Sequence, residues 1–168
     1  MRFSLLVKAK HEIIVFLENR MEILFAGEAM IEAWMMLVEK MRDNFPGLET
    51  KEALVMHRNT VLEFMRRHCA ICACKDGRVC GALLFSAEEG VLCFLAVDPE
   101  FRRQGLGKGM VEKMLTCLPH SKNVVVTTYR EDDPAGAAAR AFYTRFGFTE
   151  GALTEEFGTP VQQFFLKR

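Results

Sequence analysis

Val91-Leu92-Cys93-Phe94-Leu95-Ala96-Val97-Asp98-Pro99-Glu100-Phe101-Arg102-Arg103-Gln104-Gly105-Leu106-Gly107-Lys108-Gly109 is the stretch on which the fold turns. Val91–Val97 is a short apolar run closed by Asp-Pro, the pattern of a buried strand. Beyond the glycines, Met110, Val111, Met114, Leu115 and Leu118 recur at helical spacing, which predicts a helix over 106–118. Asn123–Tyr129 is β-branched and predicts another strand. Strand, helix, strand in this order predicts a right-handed parallel crossover.

Upstream the connections are too short for crossovers. Ala70–Lys75 and Val79–Phe85 read as strands around an Asp76-Gly77 turn, and Glu88-Glu89-Gly90 turns the chain into Val91–Val97. Turns this tight make antiparallel hairpins. Before them, Met30, Ala33, Trp34, Leu37, Val38 and Met41 mark an amphipathic helix over 28–42, followed by a turn at Asn44-Phe45-Pro46-Gly47. Thr50 caps a second helix over 51–67, with Leu54, Val61, Leu62 and Met65 inward. Met21-Glu22-Ile23-Leu24-Phe25 reads as a first strand.

Downstream, Asp133-Pro134 is an N-cap with a first-turn proline, and Gly147 ends the helix that follows. Phe148 begins a short strand and Val161–Leu166 is the last. The predicted order is β–α–α–β–β–β–α–β–α–β–β, and the class is α/β or α+β with a mixed, mostly antiparallel sheet. Residues 21–168 read as a single domain. Residues 1–20 fit a helix turn or a short strand equally well and read as an N-terminal extension.

Composition narrows the function. Of 168 residues, 22 are basic and 22 acidic, so the formal net charge is zero, which argues against a chain built for non-specific nucleic-acid binding. No apolar run reaches the ~18 residues of a membrane span, and no small-residue cleavage site follows the first apolar stretch. The 6 cysteines lie in or near apolar runs rather than spread as a disulfide framework, so the expected compartment is cytoplasmic and reducing. Cys69, Cys72, Cys74 and Cys80, with His68, lack paired C-x-x-C knuckles and read as buried thiols, with no metal site.

The chemistry is carried by the loop between strand and helix. Gly105 and Gly107 allow backbone geometry that a Cβ would obstruct, at the point where free N–H groups meet the positive end of the helix dipole. Arg102, Arg103 and Lys108 add charge, and the combination suits a pyrophosphate. Two other phosphate motifs fail here. A Walker loop would need Gly where Arg102 stands and Ser or Thr where Gly109 stands, and the dinucleotide fingerprint would need Gly where Met110 stands. A nucleotide-binding module is disfavoured on this ground.

Arg102-x-x-Gly105-x-Gly107 after Val97-Asp98-Pro99 resembles the acyl-CoA loop of the GNAT superfamily of N-acetyltransferases. Ala139-Arg140-Ala141-Phe142-Tyr143-Thr144-Arg145-Phe146-Gly147-Phe148 is similar to that family's A-x-x-[LF]-Y-x-x-x-G-F. The resemblance spans residues 21–168 and implies a GNAT-like sheet with a splayed parallel strand pair at its centre. It implies acetyl-CoA as co-substrate, no metal, and direct transfer of the acetyl group to a primary amine of a small molecule or peptide. It involves no nucleic acid or membrane, and a homodimer is compatible with it. The cofactor would touch Leu95, Ala96, Val97, Arg102, Arg103, Gln104, Gly105, Leu106, Gly107, Lys108 and Tyr143, with the pantetheine paired to the backbone near Ala96 and Val97. The Val97 N–H would face the developing oxyanion, and Tyr143 would protonate the leaving thiolate.

The general base is not readable from the sequence: Glu131 is a weak candidate, and a water relay serves at least as well. Trp34, Phe45 and Phe64 would line the acceptor side, whereas His57, Arg58, Arg66 and Arg67 read as a solvated helix face. One departure stands out: Gly136 occupies the position where the family often has asparagine. The rival expectation is a CoA-binding regulatory or interaction domain without turnover.

Overall fold

The computed structural model describes residues 21–168; the extension read over 1–20 lies outside the described residues. Strand β1 is Glu22–Phe25, α1 Ile31–Met41, α2 Lys51–Arg66, β2 Ala70–Lys75, β3 Arg78–Ser86 and β4 Val91–Val97. They are followed by α3 Leu106–Leu115, β5 Val124–Tyr129, α4 Ala137–Phe146, β6 Thr149–Glu156 and β7 Thr159–Leu166. The strands form one 7-stranded sheet in the order β1-β2-β3-β4-β5-β7-β6, in which only β4 and β5 are parallel.

Local chemistry accounts for most boundaries. Thr50 accepts the Ala53 N–H at 3.1 Å and starts α2 as expected. Asp76 and Gly77, both at positive φ, make the tight β2–β3 turn. The helix expected over 28–42 is narrower, with 3₁₀ turns at Glu28–Met30 and Arg42–Asn44 on either side of α1. Pro134–Gly136 is likewise a 3₁₀ turn before α4. The strand after Gly147 is not short. It pairs with β7 through Glu156, because β7 supplies a partner that periodicity alone does not reveal.

Two cores sandwich the sheet. Leu83, Met110, Val111, Met114, Val124, Val126, Tyr143 and Phe164 are buried on the α3/α4 face. Trp34, Val38, Val61, Cys72, Leu84, Phe94 and Ala96 are buried on the α1/α2 face. Trp34 is fully buried; it is core, not acceptor wall, because α1 turns its broadest side chain onto the sheet. Arg58 pairs with Glu32, and Arg66 with Glu28 at 2.7 Å in the 3₁₀ turn before α1, so this face of α2 is solvated as expected and also carries surface ion pairs to α1 and the turn before it.

At its centre the sheet parts. The register between β4 and β5 holds a single pair, Val91 with Val125, closed by the Val125 N–H on the Gly90 carbonyl at 2.9 Å. Beyond it the strands diverge. A bulge contributes to this: Leu84 opposes Phe94 while Phe85 opposes Leu92, so Cys93 is the unpaired residue of β4.

Candidate active site

The gap opens into a cleft of about 1470 Å³ lined by both strands, the loop before α3, α4, α2 and the β6–β7 turn. One small ligand commonly takes ~300–1,000 Å³, so the cleft has room for two reactants.

Strand parity decides which backbone groups face it. The Asp98 N–H bonds the Cys80 carbonyl at 2.9 Å, so Asp98 and Cys80 are a hydrogen-bonded pair and the next pair, Val97 with Gly81, is not. The polar backbone of Val97, and two residues back that of Leu95, therefore points away from β3 into the gap. Ala96 lines the cleft, but its N–H and C=O are directed to β3, which corrects the expected pairing at Ala96 to Leu95 and Val97. The Val97 carbonyl already accepts the Arg102 Nε–H at 3.3 Å.

The glycine loop enters from the α3/α4 face. Gly105 is the N-cap of α3 with φ 78° and no side-chain cap, so the N–H groups of the first turn, Leu106 through Lys108, have no capping acceptor among the described residues. Arg103 also sits at positive φ, and a non-glycine residue held there marks a backbone shaped for a purpose. Arg102, Arg103, Gly105, Leu106, Gly107 and Lys108 line the cleft; Gln104 is exposed and is not among the lining residues. Leu106 keeps its side chain in the core, so it can offer only its backbone. A Cβ on Gly107 would lie 3.2 Å from the Phe142 ring, which also lines the cleft. These features fit a pyrophosphate-bearing cofactor. A donor-rich, positively charged helix N-terminus stands beside the outward backbone of β4.

A buried carboxylate fixes this loop. Asp98, 1% exposed, accepts Lys40 at 2.9 and 3.1 Å, Arg78 at 2.6 Å and the Glu100 N–H at 3.1 Å. Burial alone would raise its pKa, but these donors outweigh it and hold the carboxyl below its usual range. Sequence reasoning missed this knot, although Asp98-Pro99 is the same N-cap and first-turn proline signal that was read at Asp133-Pro134.

Tyr143 lies on α4 against Phe142, Phe148 and Phe164, 4% exposed, with its side chain lining the cleft. Its hydroxyl has no hydrogen-bond partner among the described residues, and burial pushes its pKa well above the usual tyrosine value, so it stays protonated. Glu131 is exposed in the turn after β5 and does not line the cleft, so the geometry does not bring this base candidate to the site. Gly136 is buried, and a Cβ there would lie 2.7 Å from the Tyr129 Cβ. Any side chain at this position, asparagine included, would press on Tyr129.

The α1/α2 face of the cleft is aromatic. Phe45 packs on Phe94 with ring centroids 4.4 Å apart, and His57 packs on the same ring at 5.1 Å. Phe64 also lines the cleft, as expected with Phe45. His57 is not solvated. Its Nε2 is buried with no partner among the described residues, and burial lowers its pKa to about 4, so it is neutral at physiological pH. Phe157, at the β6–β7 turn, is 82% exposed and covers Gly47, whose Cβ would lie 3.0 Å from its ring. Cys93 and Thr127 also line the cleft, as does Glu156. None of these carried a sequence signal, because nothing local distinguishes a cleft-facing side chain from a surface one. Cys72 and Cys74 have Sγ atoms 3.5 Å apart on β2, away from the cleft lining. Among the described residues no group of His, Cys, Asp and Glu is gathered to hold a metal.

Comparisons with known proteins agree with this geometry. An acetyltransferase (GNAT) domain model matches residues 66–150, about half of the chain. The [ribosomal protein bS18]-alanine N-acetyltransferase of Escherichia coli (strain K12) is 36% identical over 70 residues, 42% of this chain and 46% of the relative. The match thus spans less than half the length of that curated relative. A GNAT-family acetyltransferase from Bacillus cereus superposes with a TM-score of 0.69 at 15% identity, covering 89% of this chain and 99% of that one. The PaiA N-acetyltransferase from Thermoplasma acidophilum, solved in complex with coenzyme A, superposes at 0.66 with 16% identity, covering 89% and 99%. At these identities the structural likeness is one of fold.

Proposed function

The chain belongs to the GNAT acetyltransferase family, and from that premise we propose that it transfers the acetyl group of acetyl-CoA directly to a primary amine. The observation that carries this reading is the convergence, in one cleft, of the uncapped first turn of α3, the outward backbone of Leu95 and Val97, and Tyr143. The relative's printed activity, N-acetylation of an alanine of ribosomal protein bS18, supports an amine acceptor, peptide or small molecule.

Acetyl-CoA, when bound, supplies an activated acetyl thioester and a thiolate leaving group. The N–H groups of residues 106–108, with Arg102, Arg103 and Lys108, hold its pyrophosphate. Leu95 and Val97 pair with the pantetheine as an edge strand would. The acceptor enters as an ammonium ion with pKa ~10 and loses a proton to solvent water before its nitrogen attacks the carbonyl carbon. The Val97 N–H donates to the carbonyl oxygen as negative charge develops there. As the C–S bond breaks, the Tyr143 hydroxyl gives its proton to sulfur, and the proton that the attacking nitrogen sheds as it becomes an amide passes through solvent to restore the hydroxyl.

A thermal-shift titration followed by an amine screen tests the reading. Acetyl-CoA at 100 times its Kd should stabilise the native state by about 2.7 kcal/mol, and an amine should then provoke free-thiol release. A response to ATP or NAD instead of acetyl-CoA overturns the cofactor assignment. A CoA-binding domain without turnover would give the first response and not the second.

A further inference from the structure

Resting on the acetyl-transfer reading, we propose that Glu156 is the counter-ion for the acceptor's ammonium group, and that the acceptor carries this group on an aromatic or similarly broad apolar body.

Strand parity places the carboxylate. Val124 and Val126 bury their side chains in the α3/α4 core, so Val125, Thr127 and Tyr129 face the α1/α2 side. The Thr127 hydroxyl donates to Glu156 Oε1 at 2.7 Å, which fixes Glu156 on that face and across the gap from the glycine loop. The other carboxylate of the cleft, Glu112, lies on α3 at the cofactor side and pairs with Lys108 at 3.6 Å. Among the described residues Glu156 has no cation within ion-pair distance. Its hydroxyl donor orients it and leaves its charge uncompensated.

The surroundings select the rest of the acceptor. Phe45, His57 and Phe94 form one stacked wall and Phe157 stands exposed above it, in the residue next to Glu156. The imidazole of this wall is neutral, so it does not repel a cation. The cationic lining residues Arg102, Arg103 and Lys108, at the glycine loop, and Arg145, on α4, belong to the opposite, cofactor side. One carboxylate beside three phenyl rings suits one ammonium attached to an apolar body. It does not suit a polyamine, which would need several anions.

The test measures free-thiol release from acetyl-CoA with 2-phenylethylamine and with ethanolamine as probes. The expected result is a kcat/KM for 2-phenylethylamine at least about ten-fold above that for ethanolamine. Glu156→Gln should raise the KM for 2-phenylethylamine about ten-fold or more, as loss of a charge-assisted hydrogen bond does. The KM for acetyl-CoA should stay unchanged, and Glu156→Asp should recover part of the loss. Equal efficiency with the two amines, or an unchanged amine KM in Glu156→Gln, overturns this proposal and leaves acetyl transfer standing. Thiol release with neither amine overturns this proposal. If a wider amine screen is equally silent while acetyl-CoA still raises Tm, the transfer reading falls as well.

Discussion

The two sides of the cleft are built from different materials. The cofactor side is mostly backbone: the first turn of α3, the outward N–H and C=O groups of β4, and a loop locked by Asp98. The acceptor side is side chains drawn from separated segments: Phe45 before α2, His57 on α2, Phe94 on β4, Thr127 on β5, and Glu156 with Phe157 at the β6–β7 turn. A backbone site requires glycines at fixed spacing and so leaves a local trace in the sequence. A side-chain site is assembled by tertiary packing and leaves none. On the proposed reading the difference also divides chemistry from choice, since the acetyl donor would meet backbone and the acceptor would meet side chains.

The comparison breaks most sharply at Tyr143, which serves both sides. Tyr143→Phe should lower kcat by ~10²–10⁴-fold while the acetyl-CoA Kd stays near wild type, because the ring and its packing survive. Since the lost interaction is made in the transition state, kcat and kcat/KM should fall together. Full kcat in this variant, measured where chemistry limits the rate, would reduce Tyr143 to a packing residue.

On the acceptor side the next largest effect is in pH. His57 has a folded pKa of about 4 against 6.5 unfolded, so between these values the unfolded chain binds the extra proton and stability falls as pH drops. The shift corresponds to roughly 3 kcal/mol at its full extent. His57→Phe should remove this slope and flatten the urea midpoint between pH 6.5 and pH 4. An unchanged slope would mean that the imidazole is solvated after all.

On the cofactor side the effect should follow backbone more than charge. Gly107→Val must displace Phe142 and disturb the first turn of α3, so the acetyl-CoA Kd should rise about ten-fold or more. Arg102→Ala should cost less, and its cost should shrink with added salt, because exposed cations share the load and are screened. Isothermal titration at two salt concentrations separates the two. Equal affinities for both variants would show that the loop is only a turn.

These contrasts explain what was legible. The element order and the parallel step at β4–β5 were readable because turns, caps and periodicities are local. The loop over 102–108 was readable for the same reason. Trp34 was misplaced because a large aromatic on an amphipathic helix looks the same whether it faces the sheet core or a pocket. His57 was misread because its α2 neighbours Arg58 and Arg66 are polar, and only the tertiary position of Phe94 shows that the ring is buried. Glu131 stood near the right strand end, but the carboxylate that reaches the cleft, Glu156, comes from a hairpin whose approach to Thr127 depends on how the sheet curls. Ala96 was one residue out of phase, a matter of hydrogen-bond parity that hydrophobicity does not encode.

The single parallel pair between Val91 and Val125 has a mechanical meaning. The sheet consists of a four-strand leaf, β1–β4, and a three-strand leaf, β5–β7, hinged at one end of β4. Each leaf is internally hydrogen-bonded and has its own helices, so the two should open as separate foldons, with different amide-exchange rates. A ligand paired to Leu95 and Val97 that also contacts β5 and α4 would act as the missing lamination between the leaves and bring their opening into step.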